Sequence, residues 1–295
     1  MEVAVIGLGS MGMGAARNLR DKGHAVTGCD VRAEVRDAFG GGVAKPSEIP
    51  QGTEGVVILV VNAQQTEEAL FGPDGCAPRL APGAVVLACA TVAPEAARRI
   101  EARCREAGLM MIDAPVSGGA TAANAGTMTV MASGAPEAFA KAEPVLAAIA
   151  GKVYRLGDTA GAGSTVKMVN QLLAGVHIAA AAEAMALGIR AGADPRTLFE
   201  VISASAGSSW MFQNRVPHIL DGDDTPRSAV NIFVKDLGIV LDQARGLTFP
   251  LPLAAAAHQL FLAAAASGHG AKDDAFVIRV WEALAGIALP EAKKE

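Results

Sequence analysis

The sequence is poor in several residue types, and each shortage narrows the class of protein. Four cysteines without CxxC spacing and five scattered histidines exclude a disulfide framework and argue against a structural zinc site. With 25 basic and 30 acidic residues the net charge is −5. This excludes the strongly basic surface by which many proteins bind nucleic acid. Aromatic residues make up 4% and charged residues 19%. Together with abundant alanine, this favours a helix-rich protein that hides much of its surface, as in a homodimer or homotetramer.

Long uninterrupted apolar runs are also missing. A transmembrane helix needs about 20 largely apolar residues. The two best candidates are residues 174–189, which contain His177 and Glu183, and residues 251–266, which contain His258 and Gln259. The N-terminus shows neither a basic region nor a cleavage site. We therefore expect a cytoplasmic protein with reduced thiols, no membrane partner and no resident metal.

The hydrophobic pattern changes near residue 160. Before it, seven short apolar runs alternate with helical windows such as 11–21, 94–107 and 136–150. The apolar runs are residues 3–6, 25–30, 56–61, 84–89, 109–112, 127–132 and 153–156. This alternation predicts βαβ units, and near-continuous apolar strands predict a mostly parallel sheet covered on both faces. After residue 160 five helical windows follow without strand-like alternation, and the first and longest of them spans residues 166–191. The predicted fold is α/β, with a doubly wound sheet over residues 1–160 and an all-helical domain for substrate binding and oligomerisation over 161–295.

A glycine-rich segment follows the first predicted strand. Gly7-Leu8-Gly9-Ser10-Met11-Gly12 has GxGxxG spacing, opens a predicted helix, and is followed by Asp30 at the end of the second strand. Such glycines allow a tight turn, close approach of the backbone to a pyrophosphate, and close helix packing. Asp30 would accept hydrogen bonds from ribose hydroxyls and repel a 2′-phosphate. The pattern predicts a Rossmann domain that prefers NAD to NADP, a preference that Arg32 would soften; a plain glycine turn and a plain strand-end aspartate are the alternatives.

A second segment, Asp-Ala-Pro-Val-Ser-Gly-Gly at residues 113–119, follows a later strand. Open α/β sheets bind ligands at the carboxyl ends of their strands. The backbone around Ser117, Gly118 and Gly119 would expose N–H groups as an anion pocket for a carboxylate. A glycine-rich turn without a ligand is the alternative.

A third segment places a lysine near the start of the long predicted helix. Lys167 and Asn170 share one helix face, and Gln171 joins them at i+4. The helix dipole disfavours a cation in this region, and a lysine that loses its proton readily suits general acid–base catalysis near neutral pH. A solvated lysine is the alternative. Lys235-Asp236 is a further candidate, for which an exposed charge pair is the alternative.

These motifs together resemble the β-hydroxyacid dehydrogenase family, which includes 3-hydroxyisobutyrate dehydrogenase, tartronate semialdehyde reductase and 6-phosphogluconate dehydrogenase. The resemblance covers essentially the whole chain, with four motifs in the family's order at residues 7–19, 113–127, 161–170 and 235–237. It implies hydride transfer between NAD and a small hydroxy acid, with Lys167 as the general acid/base. It also implies that Ser117, Gly118 and Gly119 hold the substrate carboxylate and that Asn170 orients the substrate. The cofactor residues that it implies are Gly7, Leu8, Gly9, Ser10, Met11, Gly12, Asp30, Val31, Arg32, Val61, Asn62, Thr91 and Lys235.

The resemblance also favours a substrate class. Segments 61–63, 208–212 and 228–235 most resemble the family members that oxidise L-threonate, a four-carbon sugar acid. Trp210 and Phe212 are expected to wall the pocket, with helix-end core aromatics as the alternative. Gln171 stands where the family usually has a second Asn, and Ala90 where a Ser is common, so the substrate contacts differ.

Four other functions are alternatives to the oxidation of L-threonate. Within the family, these are the oxidation of 3-hydroxyisobutyrate and the reduction of tartronate semialdehyde. Outside it, the chain could be an imine reductase or a catalytically silent, cofactor-bound interaction protein. Lys167 disfavours the last two, because neither has a reason to keep a lysine there together with Ser117 and Asn170.

Overall fold

A computed structural model describes residues 1–290 of the chain. The chain divides into two compact units, Met1–Met168 and Val169–Glu295. The long helix Ala162–Arg190 runs across this boundary.

The first unit is built on a parallel sheet of five strands in the order β2-β1-β3-β4-β5. An isolated parallel bridge adds Val43 outside β2, next to Cys29. With that bridge counted as a strand, the order matches the doubly wound dinucleotide-binding sheet. The strands are β1 Glu2–Ile6, β2 Ala25–Cys29, β3 Thr53–Ile58, β4 Leu80–Ala88 and β5 Met110–Asp113.

Alternate residues of these strands enter two different cores. Val3, Val5 and Val57 pack into one hydrophobic cluster. Their neighbours Ala4 and Ile6 pack into the other, on the opposite face of the sheet. Both faces are therefore buried, which confirms the expectation drawn from the continuous apolar strands.

A smaller sheet of three strands follows the large one. It consists of β6 Val116–Ser117, β7 Met128–Ala132 and β8 Ala150–Arg155, with β6 antiparallel and β8 parallel to β7. The hydrophobic pattern missed β6, because a strand of two residues is too short to show a period.

Helices connect the strands of the first unit. The predicted helices near residues 11, 94 and 136 are present, the last two with a proline at the first helical position. Three short helices, α2, α3 and α5, were not predicted. The bounds are α1 Gly12–Asp21, α2 Ala33–Phe39, α3 Ala63–Phe71, α4 Pro94–Glu106, α5 Gly119–Ala125, α6 Pro136–Ile149 and α7 Ala162–Arg190.

The second unit is helical, as predicted, and in its described part the chain forms no strand beyond the isolated bridge between Ala229 and Asp273. Its core includes the stacked rings of Phe233 and Phe261, whose centroids lie 5.2 Å apart. A Cβ built on Gly175 would lie 3.0 Å from side-chain carbons of Phe233 and Leu237, so this glycine lets two helices approach closely. Besides the end of α7, the helices are α8 Pro195–Ser203, α9 Trp210–Asp221, α10 Val230–Gly246, α11 Pro252–Ala264 and α12 Val280–Ala285.

By length and composition alone, α7 is apolar enough to cross a membrane, and 44% of its most apolar window is buried inside the structure. A core helix of a soluble protein has the same properties, so this is weak evidence for a membrane span.

Candidate active site

The GxGxxG segment forms a tight turn between β1 and α1. Gly7 has φ +90°, and a Cβ on it would lie 2.7 Å from the carbonyl oxygen of Leu59. A Cβ on Gly12 would lie 1.7 Å from the carbonyl oxygen of Gly7, so neither position has room for a side chain. At Gly9 no heavy atom of the described chain lies within 4 Å of such a Cβ. The turn therefore leaves open space at Gly9, next to the start of α1, as a cradle for a pyrophosphate requires.

Asp30 lies beside this turn and is buried. Its carboxylate accepts the backbone N–H of Leu8 at 2.9 Å and a two-pronged contact from the Arg32 guanidinium at 3.0 and 3.1 Å. Burial alone would raise the pKa of Asp30, but the hydrogen bonds from Arg32 and Leu8 outweigh it and hold that pKa below its usual value. Asp30 is therefore a fixed anion next to the turn, and the Arg32 guanidinium lies against its carboxylate.

The other candidate cofactor residues of the first unit follow the strand ends of the same sheet. Val31 is exposed directly after Asp30. Val61 donates its N–H to Gln65, and the Asn62 side chain caps α3 by accepting the N–H of Gln65 at 2.8 Å. Thr91 follows β4 and is partly buried. Because carboxyl ends of parallel strands meet at one edge, all of these lie on the edge that carries the glycine turn.

The Ser-Gly-Gly segment connects β6 to α5. Ser117 pairs with Thr129 in the small sheet, which fixes its backbone. Gly118 and Gly119 have φ +119° and +63°, values that L side chains rarely adopt. The segment is partly exposed, so its backbone is available to a ligand at this end of the first unit.

Asp113, at the end of β5, caps the N-terminus of α7 from 48 to 51 residues away. Its Oδ2 accepts the backbone N–H groups of Gly161 and Ser164, both at 2.9 Å, and its Oδ1 accepts the Ser164 hydroxyl at 2.7 Å. Ser133 donates its hydroxyl to Oδ2 at 3.3 Å and accepts the N–H of Gly163 at 3.0 Å. Burial raises the pKa of Asp113 despite these hydrogen bonds. The sequence motif contains Asp113, but its role was missed because the cap depends on a contact distant along the chain.

Lys167 lies one turn beyond this cap, on α7. Its side chain is buried, with 7% of the residue exposed. The alternative of a solvated lysine on an exposed helix face is therefore wrong. Lys167 is therefore a buried amine one turn after a capped helix start.

In the second unit, Asn170 begins a chain of polar contacts. It donates its amide to the Gln171 carbonyl oxygen at 3.0 Å, and Gln171 in turn donates to the Asp236 carboxylate at 2.5 Å. Lys235 lies 2.8 Å from the other carboxylate oxygen of Asp236. Asp236 is 1% exposed, so the alternative of a surface charge pair is wrong. The network fixes the orientation of the Asn170 amide.

The two aromatic candidates have different surroundings. Trp210 is 62% exposed at the start of α9, where Ser209 caps the helix by accepting the N–H of Phe212. Phe212 is 3% exposed and stacks on Phe199 with a centroid distance of 5.9 Å. Of the pair, Trp210 is the one that offers a surface to a ligand, while Phe212 serves the helical core.

The four cysteines are buried. All four are free thiols, and burial raises the pKa of each to about 12. Within residues 1–290, no group of three or more His, Cys, Asp or Glu side chains could hold a metal ion.

Two family models match consecutive parts of the chain. A family model described as the NAD binding domain of 6-phosphogluconate dehydrogenase matches residues 2–157. A second, described as the NAD-binding domain of NADP-dependent 3-hydroxyisobutyrate dehydrogenase, matches residues 161–281.

Individual relatives match over nearly their full length. L-threonate dehydrogenase of Cupriavidus necator is 59% identical over 292 residues, which cover 98% of this chain and 97% of that protein. L-threonate dehydrogenase of Pectobacterium atrosepticum is 50% identical over 297 residues, with 99% and 97% covered. Among solved structures, 3-hydroxyisobutyrate dehydrogenase from Salmonella typhimurium is 50% identical with a TM-score of 0.91, and the match covers 94% of this chain and 99% of that one.

Proposed function

Because the chain belongs to the β-hydroxyacid dehydrogenase family and is an NAD-binding oxidoreductase of hydroxy acids, we propose that its substrate is L-threonate. The observation that carries this proposal is the 59% identity, over nearly the full length, with an enzyme of that name. A four-carbon sugar acid also suits a site with several polar groups, since each extra hydroxyl needs a hydrogen-bond partner.

In the proposal, Lys167 is the general acid/base. The nicotinamide, when bound, supplies the acceptor for the hydride that leaves the substrate carbon. Neutral Lys167 takes the proton of the substrate hydroxyl at its Nζ atom, so that the C–H and O–H bonds break and a C=O bond forms. In the reverse direction the ammonium form returns the proton.

The proposal assigns the remaining substrate contacts by chemistry. The backbone of Ser117, Gly118 and Gly119 binds the carboxylate. Asn170, held by Gln171, accepts a hydrogen bond from a substrate hydroxyl, and Trp210 supplies an apolar wall while Phe212 supports it from the core.

The glycine turn and the strand ends are proposed to hold the cofactor. Gly9 and its neighbours receive the pyrophosphate at the start of α1, and Asp30 binds the ribose hydroxyls of NAD. Asp30 is an anion, so it disfavours the 2′-phosphate of NADP. The remaining proposed contacts are Gly7, Leu8, Ser10, Met11, Gly12, Val31, Arg32, Val61, Asn62, Thr91 and Lys235.

We also propose a cytoplasmic homodimer or homotetramer in which residues 1–160 bind NAD and residues 161–295 serve substrate binding and oligomerisation. Exposed apolar side chains of the second unit, such as Leu187, Phe249 and Leu253, support burial in an oligomer.

A second candidate substrate is 3-hydroxyisobutyrate, because the Salmonella typhimurium structure carries that name. A screen of NAD reduction over L-threonate, D-threonate, the erythronates, 3-hydroxyisobutyrate and glycerate separates the candidates. L-threonate is expected to have the highest kcat/KM. A higher value for 3-hydroxyisobutyrate would overturn the L-threonate proposal and leave the class of reaction intact.

The catalytic assignment is tested with Lys167→Ala. General acid–base catalysis contributes roughly 10²–10⁴-fold, so turnover should fall by that factor while NAD still binds. Lys22→Ala, on an exposed lysine at the end of α1, is the matched control and should keep parental turnover. Full turnover in Lys167→Ala would overturn the assignment.

A further inference from the structure

We propose that Asp113 is a positioning residue for the proposed proton transfer, acting on Lys167 through both the location and the charge of its carboxylate. This inference rests on the proposed function, since it has meaning only if Lys167 carries the proton. Asp113 itself is not proposed to contact the substrate or the cofactor. It acts through the first turn of α7.

The first part of the argument is mechanical. The N–H groups at the start of a helix lack partners within the helix. Here two side chains from the ends of β5 and β7 supply those partners: Asp113 accepts from Gly161 and Ser164, and Ser133 accepts from Gly163. The start of α7 is therefore attached to both sheets of the first unit and cannot rotate or slide without breaking hydrogen bonds.

The first turn of α7 packs closely against the strand ends at Gly163. A Cβ built on Gly163 would lie 2.3 Å from the carbonyl oxygen of Met131 and 2.8 Å from that of Asp113. Only a glycine lets the first turn approach the strand ends this closely. Since Lys167 lies three residues after Ser164, about 4.5 Å along the helix axis, the cap determines where its side chain begins.

The second part of the argument is electrostatic. The N-terminus of a helix carries roughly half a positive charge, which opposes a cation in the first turns. The Asp113 carboxylate lies against that terminus and is 1% exposed, so water screens it little. Its two oxygens face four donors, an arrangement suited to the ionised form. Burial raises the pKa of Asp113, so this effect belongs to its ionised form: the carboxylate then offsets the helix dipole and favours the ammonium form of Lys167.

The other ionisable groups around the cap differ from Asp113 in exposure or in the group that they contact. On α4, Arg98 comes within 2.5 Å of a Cβ built on Gly161, but its side chain is 52% exposed and pairs with Glu95. Glu101 accepts the N–H of Ala160 at 3.1 Å and is partly buried. Cys89 is near enough that Asp113 adds to the effect of burial in raising the pKa of its thiol. Among these groups Asp113 is the acidic side chain that is buried, with 1% of the residue exposed.

The test compares Asp113→Asn with Ser133→Ala. Asp113→Asn removes the charge with little change of shape, whereas Ser133→Ala removes a neutral partner of the same cap and keeps the charge. We measure kcat and kcat/KM for oxidation against pH, NAD affinity and thermal unfolding of both variants. In Asp113→Asn, kcat should fall roughly tenfold, NAD affinity should stay parental, and the acid limb of the profile should move by about one unit to lower pH.

The direction of the pH shift follows from the negative charge that Asp113→Asn removes. Without the anion, the ammonium form of Lys167 is less favoured, so the neutral base is available at lower pH. In Ser133→Ala the acid limb should stay at its parental position. An unmoved limb in Asp113→Asn, or an equal shift in Ser133→Ala, would overturn the proposal.

Two further variants distinguish a failure of this inference from a failure to fold and from a failure of the proposed function. If Asp113→Asn does not fold, Ser164→Ala weakens the same cap from the helix side. Its kcat should fall severalfold with NAD affinity unchanged, and a parental kcat would overturn the proposal. Lys167→Ala is assayed in parallel: if it retains turnover, the proposed function fails, and if it is inactive while Asp113→Asn behaves like the parent, only this inference fails.

Discussion

Gln171 donates its side-chain amide to the carboxylate of Asp236 at 2.5 Å, across 65 residues of chain. The same Gln171 side chain accepts the amide of Asn170. A buried carboxylate thereby fixes the orientation of a polar side chain proposed to meet the substrate.

Gln171→Asn should impair substrate handling without affecting the cofactor. An asparagine is one methylene shorter and loses the hydrogen bond to Asp236. Hydrogen bonds to charged groups are worth about 1.5–3 kcal/mol, so kcat/KM should fall roughly ten- to a hundredfold. NAD affinity, measured by titration, should not change. Gln64→Asn, at an exposed position of α3, is the matched control, and equal losses of kcat/KM in the two variants would contradict the role of Gln171.

Asp30→Ala should weaken NAD binding and reduce discrimination against NADP. The substitution removes the anion that also holds Arg32, and the released guanidinium becomes available to a 2′-phosphate. The ratio of kcat/KM with NAD to that with NADP should fall. Asp37→Ala, on an exposed aspartate of α2, should leave the ratio unchanged. A parental enzyme that already prefers NADP would refute the proposed role of Asp30.

Substitutions at two glycines of the turn should have different effects, one on the stability of the fold and the other on NAD binding. A Cβ at Gly12 collides with the backbone of Gly7, so Gly12→Ala should cost about 1–3 kcal/mol of unfolding free energy. At Gly9 the same atom enters open space. Gly9→Ala should therefore keep the parental unfolding midpoint and lose roughly tenfold in NAD affinity, about 1.4 kcal/mol. Parental NAD affinity in Gly9→Ala would place the pyrophosphate elsewhere.

Arg215→Ala should destabilise the second unit strongly. Arg215 contacts both carboxylate oxygens of Asp274, which is fully buried. Removal of one partner of a buried ion pair costs about 3–5 kcal/mol, because the other charge is left unpaired. Urea unfolding measures this loss. Arg196→Ala, which breaks an exposed pair with Asp221, should cost less than about 1 kcal/mol.

The loss of unfolding free energy in Arg215→Ala should also depend on pH. Burial raises the pKa of Asp274 even with Arg215 present. A carboxyl group with a raised pKa in the folded state binds more protons there than in the unfolded state, so stability falls as pH rises through its titration. Without Arg215 this penalty grows. The difference between parent and variant should therefore narrow in acid, and a difference that is constant with pH would exclude a charge effect.

Local patterns in the sequence determined much of the fold. All seven apolar runs of the first half contribute to strands, and the helices at residues 94 and 136 begin within one residue of their predicted starts. Strand and helix periods arise from neighbours two to four residues apart, so a single sequence displays them. The glycine turn and Lys167 were likewise visible, since their spacing along the chain is itself the signal.

Only the tertiary structure decided which polar groups are buried together. Asp113 reaches the start of α7 because β5 ends beside it, and Asp236 meets Gln171 because α7 packs against α10 at Gly175. Neither contact has a local pattern, since each depends on the order of strands and on helix packing. The sequence by itself determined the elements and the candidate chemical groups. The packing of those elements decided which carboxylates lose their water, and burial of this kind gives a charge its influence over a neighbouring helix and its lysine.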